Sequence, residues 1–382
     1  MVLIWADEDF KISGQPYPGF PILLLDSMES CSPANQFMRH YLLRGQVRSR
    51  RSWCSTGRAL FDFFSFLQAH DLDWRDVDRG EAKSLVAAYR DYCLETCKLH
   101  LSTTRQRLYY VCKFYEFARE EGWVSRLPFT YEERKVKKTV GFLAHVDTSG
   151  GKTLANDVMP RRPKYLPKFL RMPEIKTLLA ATENPHHRML LRLALRTGLR
   201  QEELATLPLA YVFDPDKSGR TERNLSIRLD PFDGSGMMTK RSKPRTIRIS
   251  RRFMADLYHY AMKVRGERAS MSETPQKALL LNHVGQPYSL AGKSLNRIIS
   301  DAGKRCGIKV HTHMLRHTYA TQTLVGLQRN PAYGLDPLVF LQGQLGHESI
   351  ETTMVYLHLV NEIADEAVLA YDDELNEMEE AD

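Results

Sequence analysis

QLGHESIETTMVYLH, Gln344 to His358, sets a Leu-Gly turn before a histidine and a tyrosine nine positions after that histidine. A tyrosine near a helix end ordinarily packs its ring and hydrogen-bonds its hydroxyl. The same side chain is a nucleophile when its proton, held with an ordinary pKa of about 10, can be taken by a neighbour or loosened by nearby cations. Which of these Tyr356 is depends on what the rest of the chain brings to it.

The formal net charge is +8, yet residues 361–382 hold ten acidic and no basic residues, so residues 1–360 carry about +18. A basic body of that size favours a polyanion through counterion release, with nucleic acid ahead of an anionic membrane surface. At 382 residues the chain suits two domains. No stretch approaches the roughly 20 apolar residues of a membrane span, PILLL at Pro21–Leu25 being far too short, and the start MVLIWADED lacks the pattern of a secretory signal. The expectation is a cytoplasmic protein. Cys31, Cys54, Cys93, Cys97, Cys112 and Cys306 form no CxxC pair and read as reduced packing residues.

Residues 1–30 read as an N-terminal extension. Over 31–130 the pattern predicts an all-helical module: Ser32-Pro33 opens one helix, and Leu108, Val111, Tyr115 and Ala118 recur at helical spacing in another begun by Ser102. The aromatic residues of these runs are expected in the core rather than stacked on bases. Residues 131–167 turn basic and rich in Gly and Pro without periodicity, through RKVKK, DTSGGKTLAND and PRRPKYLPK, and read as a basic linker suited to a phosphate backbone. Residues 168–360 mix helices with three short strands, LSIRLD, GMMTK and RTIRIS, expected to form a small antiparallel sheet. The fold class is thus mainly α with a small antiparallel β-sheet.

Three further stretches join the opening one: RTGLRQEELATL (Arg196–Leu207), MMTKRSKPRTIRI (Met237–Ile249) and HMLRHTYAT (His313–Thr321). At these residues the chain resembles the catalytic domain of the tyrosine recombinases, the phage integrase family, whose order Arg, Lys, His-x-x-Arg, His, Tyr is matched by Arg200, Lys240, His313, Arg316, His347 and Tyr356. The resemblance is clear over about 166–358. Over the helical module it rests on position and pattern alone, and implies a DNA-gripping domain.

The residue types suit the chemistry. A phosphodiester under attack gains negative charge on its non-bridging oxygens, and guanidiniums offer fixed paired donors to such oxygens. Arg200 and Arg316 fit that task. The resemblance implies that Tyr356 forms a 3′-phosphotyrosyl link, that Lys240 rather than Lys243 protonates the departing 5′ oxygen, that His313 assists proton transfer at Tyr356, that His347 donates to a phosphate oxygen, and that Glu203 orients the cluster. No metal, ATP or other cofactor is expected, because the bond energy is kept in the phosphotyrosine. HTHMLRH, with His311, His313 and His317, contains an HxH metal-site fragment, but no cysteine or carboxylate set accompanies it.

The implied partners are double-stranded DNA carrying specific recombination sites and, on paired sites, a homo-tetramer that passes through a Holliday junction; no membrane and no small-molecule substrate are expected. A type IB topoisomerase shares this chemistry, and a DNA-binding protein that has lost catalysis shares the basic body. The acidic tail, 361–382, begins with apolar spacing through Ile363, Ala367, Leu369 and Ala370, which suits a helix docked on a neighbouring protomer as well as a solvated end.

Overall fold

In the computed structural model, the structure describes residues 1–44, 50–135, 152–161, 166–290, 293–329, 336–357 and 359–360. The acidic tail and parts of the basic stretch, 136–151 and 162–165, lie outside the described residues. The chain divides into two compact units, Met1–Lys164 and Tyr165–Asp382.

The first unit is built on α1 (Ser32–Leu43), α2 (Arg51–Ala69), α3 (Leu85–Asp91) and α4 (Leu101–Glu120). Two of the starts have a plain local cause. Pro33 occupies the first turn of α1, and the Ser84 hydroxyl caps α3 by accepting from the Ala87 amide. Leu108, Val111, Tyr115 and Ala118 form the buried stripe of α4, and the aromatics turn inward, with Phe63 edge-on to Tyr115 at 6.0 Å. Tyr109 is an exception at 45% exposed.

Two stretches differ from expectation. Residues 1–30 are structured rather than an appendage: β1 (Val2–Trp5) pairs with β4 (Pro21–Leu24) around a smaller hairpin of β2 (Lys11–Ile12) and β3 (Gln15–Pro16). Phe20 and Leu23 enter the helical core, and Asn35 on α1 bonds both backbone groups of Leu23, at 2.9 and 2.8 Å. The basic stretch holds an antiparallel ribbon, β5 (Tyr131–Lys135) with β6 (Lys152–Asn156), and Val158 beyond it is buried in the first unit's core. A two-stranded ribbon with little buried face needs no apolar alternation, so charge and missing periodicity concealed it.

The second unit runs α5 (Met172–Ala180), α6 (Pro185–Thr197), α7 (Gln201–Thr206), β7 (Asn224–Leu229), β8 (Arg245–Ser250), α8 (Arg251–Tyr260), α9 (Gly266–Ala269), α10 (Lys293–Arg305), α11 (Thr312–Arg329) and α12 (Pro337–Leu345), followed by helix at 351–357. Helix α6 supplies Leu190, Leu191, Leu193 and Ala194 to the core, and α11 packs along it. Strands β7 and β8 pair with Ile227 opposite Ile247, and Leu225, Leu229 and Ile249 complete the inward face. The sheet has two strands, not three. GMMTK is not a strand, because the Met238 amide donates to Thr206 Oγ1 and a 3-10 turn follows at Lys240–Ser242. Arg241 and Ser242 there hold φ of 59° and 53°, which no extended segment allows.

Candidate active site

Helix α6 stops at Gly198, whose φ of +59° is the left-handed C-cap; a Cβ there would stand 2.4 Å from the Tyr319 ring. Arg200 is then the N-cap of α7, and its amide donates to Glu203 Oε2 at 2.7 Å. Glu203 is fully buried and accepts from the guanidiniums of both Arg200, at 3.1 Å, and Arg245. Burial alone would raise the Glu203 carboxyl, but the hydrogen bond and charge of Arg245, with the charge of Arg200, hold it below its ordinary range.

Arg316 lies one helical turn after His313 on α11 and is 2% exposed. It donates to the carbonyls of Gly198, at 2.6 Å, and Leu345, at 2.7 Å. Burial, then the nearby Arg200, lowers its pKa to about 9, so it stays charged at neutral pH. Helix α12 ends at Gly346 with φ of +62°. Its last carbonyls receive three guanidiniums in succession: Gln344 from Arg245, Leu345 from Arg316 and Gly346 from Arg200. A helix C-terminus is the negative end of the macrodipole and suits cations.

Tyr356 is 2% exposed and packs with Ala320, Leu324, Leu341 and Leu345. Its hydroxyl is hydrogen-bonded to His317 Nδ1 at 2.9 Å, and the His347 ring stacks on its ring at 6.2 Å between centroids. Burial raises the Tyr356 hydroxyl above its ordinary pKa, opposed by the fields of Arg316 and Arg200. Burial and neighbouring charge lower His317 to about 4 and His347 to about 3, so both rings are neutral at pH 7. His313 stands edge-on to His317, centroids 4.5 Å apart; partial desolvation, then Arg316, lowers its pKa as well.

Lys240 is exposed on the turn between β7 and β8, and it makes no ion pair among the described residues. It shares with Arg200 and His347 the lining of an open cleft of about 470 Å³, along with Arg241, Lys243 and Glu348. Glu348 pairs with both Arg241 and Lys243. A larger cleft of about 830 Å³ in the first unit contains none of the residues singled out from the sequence.

All seven residues, Arg200, Glu203, Lys240, His313, Arg316, His347 and Tyr356, therefore converge on one region, with Arg200, Lys240 and His347 at the cleft, Arg316, Glu203 and Tyr356 buried behind it and His313 beside His317. Sequence reasoning gave two neighbours no part in this site, Arg245 being unremarked and His317 weighed only as a metal-site fragment. Arg245 is in phase with the inward Ile247 and Ile249, a charge in the buried register of a strand, and that was its legible signal. His317 follows His313 by four positions and so shares its helix face. Among the described residues no group of three or more His, Cys, Asp or Glu is placed to hold a metal ion.

Residues 168–362 match the phage integrase family. Transposase A from transposon Tn554 of Staphylococcus aureus is 27% identical over 92% of this chain and 94% of its own length. The tyrosine recombinase XerD of Caulobacter vibrioides is 28% identical over 83% of this chain and 88% of its own. Among solved structures, the XerH site-specific recombinase bound to a palindromic difH substrate superposes with a TM-score of 0.56 at 18% identity, covering 89% of this chain and 85% of that one, a likeness of fold.

Proposed function

The chain belongs to the phage integrase family of DNA breaking-rejoining enzymes, and from that membership we propose that it is a site-specific recombinase acting through a 3′-phosphotyrosyl intermediate. The observation that carries the reading is a tyrosine hydroxyl, hydrogen-bonded to a neutral imidazole and lying in the field of two guanidiniums, behind a cleft lined by Arg200, Lys240 and His347.

In this reading the Tyr356 oxygen attacks the scissile phosphorus while the bond from phosphorus to the 5′ oxygen breaks. The tyrosine proton passes to the His317 and His313 pair, and Lys240 delivers one to the leaving oxygen, giving a 5′-hydroxyl. Arg200, Arg316 and His347 donate to the non-bridging oxygens. Arg316 spends two of its five N–H groups on carbonyls, which leaves donors for phosphate. Glu203 orients Arg200. The 5′-hydroxyl of another strand then attacks the phosphotyrosine and frees Tyr356, so bonds made equal bonds broken and the exchange requires no ATP. Four protomers on two DNA sites exchange one strand pair, pass through a Holliday junction and exchange the second. The helical module and the basic stretch grip the duplex, and their charge supports that role.

The test is covalent trapping on nicked DNA taken from the sequence flanking the protein's own gene. Wild type should give a denaturant-resistant protein–DNA adduct that Tyr356→Phe does not form. An adduct that persists in the variant would place the nucleophile elsewhere, and tight binding by wild type without any adduct would favour a binding protein.

A further inference from the structure

We propose that Arg245 is a positioning residue that keeps Glu203 from capturing Arg200, so that the Arg200 guanidinium stays presented to the phosphate. This rests on the recombinase reading above.

The Arg245 side chain is only 8% exposed, and a guanidinium so enclosed must have its donors accounted for. They are. Its two terminal nitrogens take both oxygens of Glu203, one at 2.8 Å, in a fork-to-fork pair, and Nε donates to the Gln344 carbonyl at 3.2 Å. Arg245 thus joins the first residue of β8 to α7 and to the end of α12, the two places that carry Arg200 and His347.

The consequence concerns Arg200. A buried carboxylate needs paired donors, and Glu203 obtains them from Arg245. Arg200 therefore gives Glu203 a single side-chain bond at 3.1 Å and sends its other terminal nitrogen to the Gly346 carbonyl at 2.9 Å, with its side chain still 21% exposed at the cleft. Without Arg245, Glu203 would keep one guanidinium hydrogen-bonded to it, that of Arg200, since Arg316 is near enough to feel its charge but is committed to the carbonyls of Gly198 and Leu345. The bidentate pairing it lost would be recovered by drawing Arg200 down onto both carboxylate oxygens, out of line with an incoming phosphate. Glu203 is helpful to Arg200 only while Arg245 satisfies it.

That logic makes a prediction which simple loss of packing does not. Arg245→Gln should slow adduct formation about 100-fold, the usual cost of misplacing a reacting group by about 1 Å, with DNA affinity changed less than about threefold. Adding Glu203→Gln, which removes the charge that captures Arg200, should restore about tenfold of that loss, although Glu203→Gln alone slows the wild type. The double variant also replaces the buried charges by two neutral amides, which leaves no unpaired buried ion, so it keeps a foldable comparison should the single variant be unstable. Thermal melts establish that each protein is folded. If the double variant is as slow as Arg245→Gln or slower, Arg245 does not act through Glu203 and the proposal falls. If wild type itself forms no adduct, the recombinase reading fails and takes this one with it; a normal wild-type adduct with an unimpaired Arg245→Gln overturns the Arg245 proposal alone.

Discussion

The Tyr356 hydroxyl lies 2.9 Å from Nδ1 of His317, a residue that no step of the motif order singles out. The imidazole is neutral at physiological pH, because burial lowers its pKa to about 4. It is therefore a ready partner for a phenol that burial keeps protonated. His317→Asn is expected to slow adduct formation about tenfold, less than the full contribution of a general base, because His313 stands beside it. Single-turnover cleavage and DNA affinity measured on one substrate would check this; the affinity should hold while the rate falls.

Gly346 stands at the left-handed end of α12 with φ of +62°, and a Cβ there would meet Arg245 Cδ at 2.6 Å. Gly346→Ala should cost about 1–2 kcal/mol of stability from the backbone alone, and should slow cleavage further than its stability loss explains, since the Gly346 carbonyl holds Arg200. Urea unfolding beside the trapping assay separates the two effects.

Glu348 pairs with Arg241 and Lys243, within and just after the turn that Lys240 begins, across the mouth of the cleft. A DNA phosphate must compete with that carboxylate. Glu348→Gln is expected to tighten DNA binding up to about fivefold at low salt and to steepen the slope of log affinity against log salt by about one. Titrations at four or more salt concentrations read both numbers; an unchanged slope would mean that neither cation meets the duplex.

Acid should destabilise the second unit early. His186 is fully buried between the hydroxyls of Tyr260 and Tyr288, at 2.7 and 2.8 Å, and burial lowers its pKa to about 3. Between its unfolded value of about 6.5 and that folded value, the unfolded chain binds the proton and the folded one does not. Stability is therefore complete above about pH 6.5 and declines as pH falls toward 3, by up to about 1.4 kcal/mol per pH unit for this group. His317 and His347 act in the same direction, and Glu203 adds its loss only below the ordinary carboxylate range. Denaturant melts from pH 8 to 4 should show the decline, and His186→Gln should flatten it while lowering stability at pH 8.

Much of the helical fold was readable because its causes are local. The stripe of Leu108, Val111, Tyr115 and Ala118 needs only helical periodicity, and the alternation of Leu225, Ile227 and Leu229 only the period of a strand. The ribbon of β5 and β6 was not readable, because its backbone pairing leaves little apolar trace in a charged stretch. The expected third strand, GMMTK, gave way to a segment bonded to Thr206 that runs into a turn at Arg241 and Ser242, whose left-handed conformation neither residue type announces.

Residue type and order alone picked out the candidate set: Arg200, Glu203, Lys240, His313, Arg316, His347 and Tyr356 are types suited to phosphoryl transfer to a tyrosine, in an order that pointed to one family. How these side chains are held came from tertiary contacts. Arg245 and His317 became visible once β8, α11 and the helix at 351–357 were brought against the end of α12, and the succession of Arg245, Arg316 and Arg200 on three adjacent carbonyls joins residues 99, 29 and 146 positions apart. Hydrogen bonds between distant segments leave no periodicity in the chain; they follow from burial, which obliges every enclosed charge to find a partner wherever the fold has placed one.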